Sequence, residues 1–283
     1  VNLTMNKIFF IIIFTFFSFP SLCQTTFSGD NFSSSKNIDY FNDFSDGDLN
    51  GAQFEDDGKQ NKKAAKIQSG KLIIKLEPGM YARYSKKFER FELEINKINK
   101  NQIVNQKFKI KSNKNIIEDR VMVSQIKFRS KNSGSPSPIA SVFLDRLPNC
   151  VTWSKKTNYQ LKKEIRVFKT EMHSGKNLWV WVEKKGDLYQ HSWHKERWSN
   201  KENFLNDGKW HNVEMEVYPH YEKGYCKIFI DGNSMIEIYN ANTISYSSNQ
   251  THGDYAARIG IYRDSYKNSH EVQFDDWEIK TKN

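Results

Sequence analysis

What this sequence lacks narrows the field first. No segment of the 283 residues shows a sustained helical period with caps at both ends, which leaves the all-β classes. Cysteine is scarce: Cys23, Cys150 and Cys226 are the only three. Neither Cys150 nor Cys226 has a second Cys or a His at ligand spacing, and no His-x-x-x-His pair occurs, so no catalytic metal is expected. There is no internal repeat and no Pro/Gly/Ser-rich linker to divide the chain. Long apolar runs are missing as well, with one exception at the N-terminus.

That exception is Ile8 to Phe19, preceded by Met5-Asn6-Lys7 and followed by Ser21-Leu22-Cys23. A positive start, an apolar run too short for a comfortable membrane span and small residues at −3 and −1 describe a secretory signal. Residues 1–23 are therefore expected to be cleaved, with 1–4 upstream of the true start and Gln24 the first mature residue. A lipoprotein through Cys23 is the alternative, but Ser21-Leu22 makes a poor lipobox. Residues 24–37 form a polar, Ser-rich leader expected to be mobile, and 38–283 carry the fold. The expected destination is secreted, extracellular or periplasmic.

Cleavage removes Lys7 and lowers the formal charge from the full chain's +10 to +9. A basic secreted protein suits an anionic partner, which could be a glycan, nucleic acid or an acidic surface. Export favours an acidic polysaccharide, with no nucleic acid, no membrane after cleavage and a monomeric chain. In an oxidising compartment Cys150 and Cys226 could form one disulfide, although their spacing does not show that they are neighbours.

Short alternating runs separated by Gly, Asn, Asp and Ser fill the rest. Phe91, Leu93 and Ile95 alternate with Arg90, Glu92 and Glu94; Val213, Met215 and Val217 alternate with Asn212, Glu214 and Glu216. Asp231-Gly232 marks a hairpin turn and Pro78-Gly79 another. About a dozen or more such strands predict an antiparallel β-sandwich, and the first and last strands of such folds commonly pair. Here that sets Phe41 to Phe44 beside Val272 to Ile279. In Arg258-Ile259-Gly260-Ile261-Tyr262-Arg263 the period of two puts Arg258, Gly260 and Tyr262 on one face and the two isoleucines on the other.

Several motifs together resemble a known group. Trp210-His211-Asn212-Val213, Phe229-Ile230-Asp231-Gly232, Arg258 to Arg263 and Phe274-Asp275-Asp276-Trp277, in that order, resemble the C-terminal half of jelly-roll polysaccharide lyases. The nearest resemblance is to the heparin-lyase and glucuronan-lyase type, with alginate lyases more distant. Arg90-Phe91-Glu92-Leu93-Glu94 is similar to the Arg-x-Glu-Leu-Arg strand of the alginate group, and Gln125-Ile126-Lys127 to its Gln-Ile-His strand. The resemblance covers the chain from about Ile38 and implies a concanavalin A-like jelly roll. Two positions depart from the pattern: Lys127 stands where the family has His, and Glu94 where the alginate group has Arg.

Such lyases cut uronate polymers by β-elimination, which needs a neutralised C6 carboxylate, a base for the C5 proton and an acid for the departing O4. Carried over, the resemblance makes Gln125 and Arg90 the carboxylate neutralisers. Tyr262 becomes the acid and also a candidate base, with Arg258 lowering its pKa. Lys127 shares a strand face with Gln125 and would bind substrate charge, or act as base if burial and cationic neighbours depress its pKa. His191, Trp193 and His194 lie in an aromatic, polar segment suited to sugar binding.

Bland alternatives stay open for each. A strand Tyr is usually packing, Arg90 and Arg258 could pair with carboxylates such as Glu92, and His191 to His194 could form a surface hairpin. Asp43, Asp46 and Asp48 with Asp275 or Asp276 offer calcium ligands, or simply acidic turns. The Glu-x-Asp-x-x-Glu strand of sandwich glucanases is absent. The expected function is cleavage of an acidic glycan; the alternative is a non-catalytic, laminin-G-like binding module for the same polymers.

Overall fold

Alternating burial turns the strand pattern into two layers. On the strand that carries them, Val213, Met215 and Val217 are 2% exposed or less while Asn212, Glu214 and Glu216 face outward. A computed structural model describes residues 37–55, 58–99, 101–113, 120–130, 138–144, 148–154, 166–168, 179–185, 188–194, 204–244 and 253–283. For the strands between 151 and 194 only the backbone course is described. The expected signal and, apart from Asn37, the expected leader lie outside these residues.

In chain order the strands are β1 (Asp39–Asn42), β2 (Gln53–Phe54), β3 (Ala65–Gln68), β4 (Lys71–Leu76), β5 (Tyr81–Ala82) and β6 (Ser85–Ile98). Next come β7 (Ile103–Ser112), β8 (Val121–Ser130), β9 (Ala140–Phe143), β10 (Asn149–Ser154), β11 (Arg166–Phe168) and β12 (Trp179–Lys185). The last six are β13 (Leu188–His194), β14 (Trp210–Tyr218), β15 (Gly224–Ile230), β16 (Asn233–Ala241), β17 (Gly253–Asp264) and β18 (His270–Lys282). A 3-10 helix, Lys59–Ala64, separates β2 from β3.

Two nine-stranded antiparallel sheets result among the described residues. One runs β11-β16-β15-β14-β7-β18-β4-β3 with β1 also on β18; the other runs β12-β13-β10-β9-β8-β17-β6-β2 with β5 also on β6. Their inner faces share one apolar core that includes Leu93, Ile126, Ile259 and Ile261 from one sheet and Ile110, Met215, Ile228 and Phe274 from the other. This is the expected jelly-roll β-sandwich. The chain ends pair as foreseen, with Asn42 opposite Trp277 and Asp39 opposite Lys280. The Asp231-Gly232 turn has φ of 51° and 75°, the two positive values that a tight hairpin turn needs.

Cys150 on β10 and Cys226 on β15 are joined by a disulfide, so it ties one sheet to the other across the core. Closing a chain segment of 76 residues restricts the unfolded state by about 4 kcal/mol in the chain-entropy account. Sequence left this pairing open because the partners sit on strands that only the sandwich brings face to face.

Candidate functional site

Three neighbouring strands of the second sheet, β8, β17 and β6, set the site. Their registers place Arg258 between Gln125 on β8 and Glu94 on β6, and Tyr262 beside Arg90. Ile259 and Ile261 point into the core and are fully buried. The opposite face therefore collects Arg90, Glu92, Glu94, Gln125, Lys127, Arg258 and Tyr262, as the period of two requires.

Gly260 makes this crossing possible. A Cβ at that position would lie 2.3 Å from the Phe91 carbonyl oxygen and 2.6 Å from the Glu92 Cα, and its φ is +152°. The missing side chain lets β17 close on β6 where Glu92 stands. A register shift between Ile259 and Tyr262 against β8 marks the same point. Nearby, Ser124 Oγ and, from the other sheet, Gln106 Nε2 both donate to the Arg258 carbonyl, at 2.8 and 3.1 Å. These bonds fix the backbone from which Arg258 projects.

The charges on this face are matched and buried. Arg90 Nε donates to Glu92 Oε2 at 2.6 Å, and Gln125 Nε2 donates to Glu92 Oε1 at 2.6 Å. Arg258 grips Glu94 Oε2 through Nε at 2.9 Å and through a terminal nitrogen at 2.8 Å. Arg129 reaches the other Glu94 oxygen at 3.2 Å. Glu55, from the segment after β2, lies 3.4 Å from Arg90 and 3.6 Å from Arg258. Glu92, Gln125, Glu94, Arg90 and Arg258 are each 5% exposed or less. Burial pushes the Glu92 carboxyl up, but Arg90, Arg258 and the Gln125 hydrogen bond outweigh it and hold its pKa below the ordinary 4.5.

Two half-buried side chains sit beside this network. Burial, then Arg258 and then Arg90, lower the Lys127 pKa to about 8, against opposing pulls from Glu92 and Glu55. The Tyr262 ring packs edge-on against Phe88 at 5.5 Å. Guanidinium groups of Arg90 and Arg120 lie 4.8 and 5.0 Å from its centre. Here the structure departs from expectation: the cations against Tyr262 are Arg90 and Arg120, while Arg258 turns to Glu94. The cause is register, since Tyr262 is paired with Arg90 and Arg258 with Glu94.

The structure thus brings Arg90, Gln125, Lys127, Arg258 and Tyr262 onto one face. Residues His191, Trp193 and His194 belong to β13 of the same sheet, and His191 is opposite Thr152 and Val182. Their side chains lie outside the described residues. β9 and β10 separate β13 from β8, a backbone distance of roughly 14 Å at the usual strand spacing. Sequence reading missed Glu55, Arg120 and Arg129. Arg129 has the same parity as Gln125 and Lys127 and could have been found; nothing local flagged the other two.

The acidic residues considered for calcium do other work. Asp43 and Asp46 accept hydrogen bonds within their own turn from Ser45, Asp48 and Asn50. Asp275 pairs with Lys71, and Asp276 with Lys109 at 2.6 Å. Among the described residues no group of three or more His, Cys, Asp or Glu could hold a metal ion. His211 is held between Asp207 and Asp231 at 3.0 and 2.7 Å, a structural role at the start of β14.

No protein-family model matches the chain, and no curated protein is similar to it in sequence. Solved structures are similar in shape. The family 7 alginate lyase A1-II′ in complex with a substrate oligosaccharide is 11% identical, covers 78% of this chain and 83% of its own, and gives a TM-score of 0.48. An alginate lyase from Pseudomonas aeruginosa is 11% identical over 77% of this chain and 86% of its own, at a TM-score of 0.45. A non-specific endo-β-1,3(4)-glucanase of family GH16 is 9% identical over 88% and 92%, also at 0.45. Identities this low, divided between a lyase and a hydrolase, leave the chemistry to the residues themselves.

Proposed function

We propose that this chain is a secreted polysaccharide lyase that cuts an anionic, uronate-containing glycan by β-elimination. The observation that carries the reading is Tyr262, whose ring is flanked by the guanidinium groups of Arg90 and Arg120 at 4.8 and 5.0 Å on the face that also carries Gln125 and Lys127. In this reading the Tyr262 oxygen, as phenolate, takes the C5 proton of the uronate, and Lys127, which stands opposite Ala256 in the register while Tyr262 stands opposite Met122, binds substrate charge. The C5–H electron pair forms the C4–C5 double bond as the C4–O4 bond breaks, and the Tyr262 hydroxyl protonates the departing O4. Arg90 and Arg258 act through positive potential, because Glu92 and Glu94 already accept from their Nε groups. Gln125, which donates to Glu92, positions that carboxylate.

The same hydrogen bonds favour a second reading. With Gln125 and Arg90 engaged by Glu92, the face has fewer donors for a substrate carboxylate, as in a binding module without turnover. One assay separates the two. The mature protein is incubated with alginate, glucuronan, heparin-like and ulvan-like polymers, and the absorbance of unsaturated uronate ends is followed. A lyase gives rising absorbance, and Tyr262→Phe lowers its rate about 10²–10⁴-fold. Full activity in Tyr262→Phe removes the acid assignment. Retention on the polymers without product establishes the binding module.

A further inference from the structure

A second region carries charge of a different kind. The 3-10 helix Lys59–Ala64 and the β5–β6 hairpin enclose an open hollow of about 780 Å³. Lys59, Lys62, Arg83 and Lys86 line it together with Tyr81 and Tyr84. Its lining contains no carboxylate. Among the described residues no Asp or Glu lies within ion-pair distance of any of these four cations.

Local structure explains the convergence. The 3-10 segment is kinked at Asn61 (φ −93°, ψ 26°), and Lys59 and Lys62 on either side of that residue both line the hollow. Asn61 between them turns inward, and its Nδ2 donates to the carbonyls of Met80, Tyr81 and Arg90 at 3.0, 3.1 and 2.9 Å. That one amide locks the helix to β5 and to the strand that carries Arg90. Ala82 pairs with Ser85, so Arg83 and Tyr84 form the hairpin tip, where the Tyr84 ring is 76% exposed. The Arg83 guanidinium lies 5.1 Å from the centre of that ring.

We infer that this hollow is a binding site for an acidic polysaccharide chain, with the four cations taking its carboxylate or sulfate groups and Tyr81 and Tyr84 packing against sugar rings. Clustered cations with no counter-charge among the described residues raise the local concentration of a polyanion. Exposed aromatic rings beside them add contact area that is apolar on the face and polar at the hydroxyl. The inference shares with the proposed function only the acidic glycan as partner, and it needs no cleavage.

The test uses the Tyr262→Phe protein, so that polymer is not consumed, and compares it with the same protein carrying Lys59→Gln, Arg83→Gln and Lys86→Gln. Binding of alginate oligosaccharide (carboxylate) and heparin (sulfate) is measured against salt, with a single-stranded DNA oligonucleotide and neutral dextran beside them. Loss of three exposed contacts weakens the better of the two glycans about tenfold at low salt and makes its salt dependence shallower. Tyr84→Ala weakens binding that survives at high salt. Which glycan responds more identifies the anionic group. Unchanged affinity for both glycans in the triple variant overturns the site, and so does tighter, equally variant-sensitive binding of the DNA. Absence of cleavage by the unsubstituted protein, with variant-sensitive binding intact, would count against the lyase and leave this site standing.

Discussion

The two basic regions of this protein use arginine and lysine in opposite ways. On the outer face of β6, β8 and β17, Arg90 and Arg258 are 5% exposed and held by Glu92, Glu94 and Glu55. Around the 3-10 helix and the β5–β6 hairpin, Lys59, Lys62, Arg83 and Lys86 are exposed and none has a described carboxylate in ion-pair range. Burial explains the difference. An ion taken out of water must be paired and hydrogen-bonded, whereas an exposed one keeps its hydration and can stay free for a ligand. The first region supplies a fixed field around Lys127 and Tyr262, and the second offers counter-charge to whatever arrives.

The largest expected contrast is in stability. Glu92→Gln leaves Arg90 and Gln125 without their shared anion and should cost about 3–5 kcal/mol, read by urea unfolding. An acid titration checks the same point. The Glu92 pKa is depressed in the folded state, so its contribution is complete above the ordinary 4.5 and is lost as pH falls through the lower folded value. A stability of the variant within error of the parent would mean that the pairing on this face is idle.

A smaller effect is expected at the backbone that holds the first region together. Gly260→Ala drives a methyl into the Phe91 carbonyl and the Glu92 backbone and should cost about 1–3 kcal/mol. It should also lower turnover more than binding, because Glu92 and the strand carrying Tyr262 move together. Equal losses in both would place Gly260 in folding alone. The smallest effect belongs to the second region: the Lys59→Gln, Arg83→Gln, Lys86→Gln protein should unfold within about 0.5 kcal/mol of the parent. A larger loss would show that these cations support the fold.

Much of the architecture was legible because a period of two needs no tertiary information. Phe91, Leu93, Ile95, Ile259 and Ile261 announced their inward faces, and the structure buries them. Asp231-Gly232 announced its turn. Charges were harder to read. The alternation that set Arg90, Glu92 and Glu94 opposite the core reads the same for a solvated face as for a buried one, and the chain uses the buried form. Glu55 could not have been foreseen at all, since it reaches Arg90 and Arg258 across large separations in sequence.

By itself, then, the sequence determined the sandwich and the face shared by Arg258 and Tyr262, because strand alternation and turn chemistry are local properties; the pairing of β1 with β18 followed only from the habit of such folds. Tertiary structure alone decided that Cys150 meets Cys226, that Arg258 turns to Glu94 while Arg90 and Arg120 flank Tyr262, and that one set of cations is buried against carboxylates while another is exposed with no described carboxylate in range. Those outcomes depend on register and burial, which set the distances between charges and the dielectric around them, and neither is written in the spacing of residues along a strand.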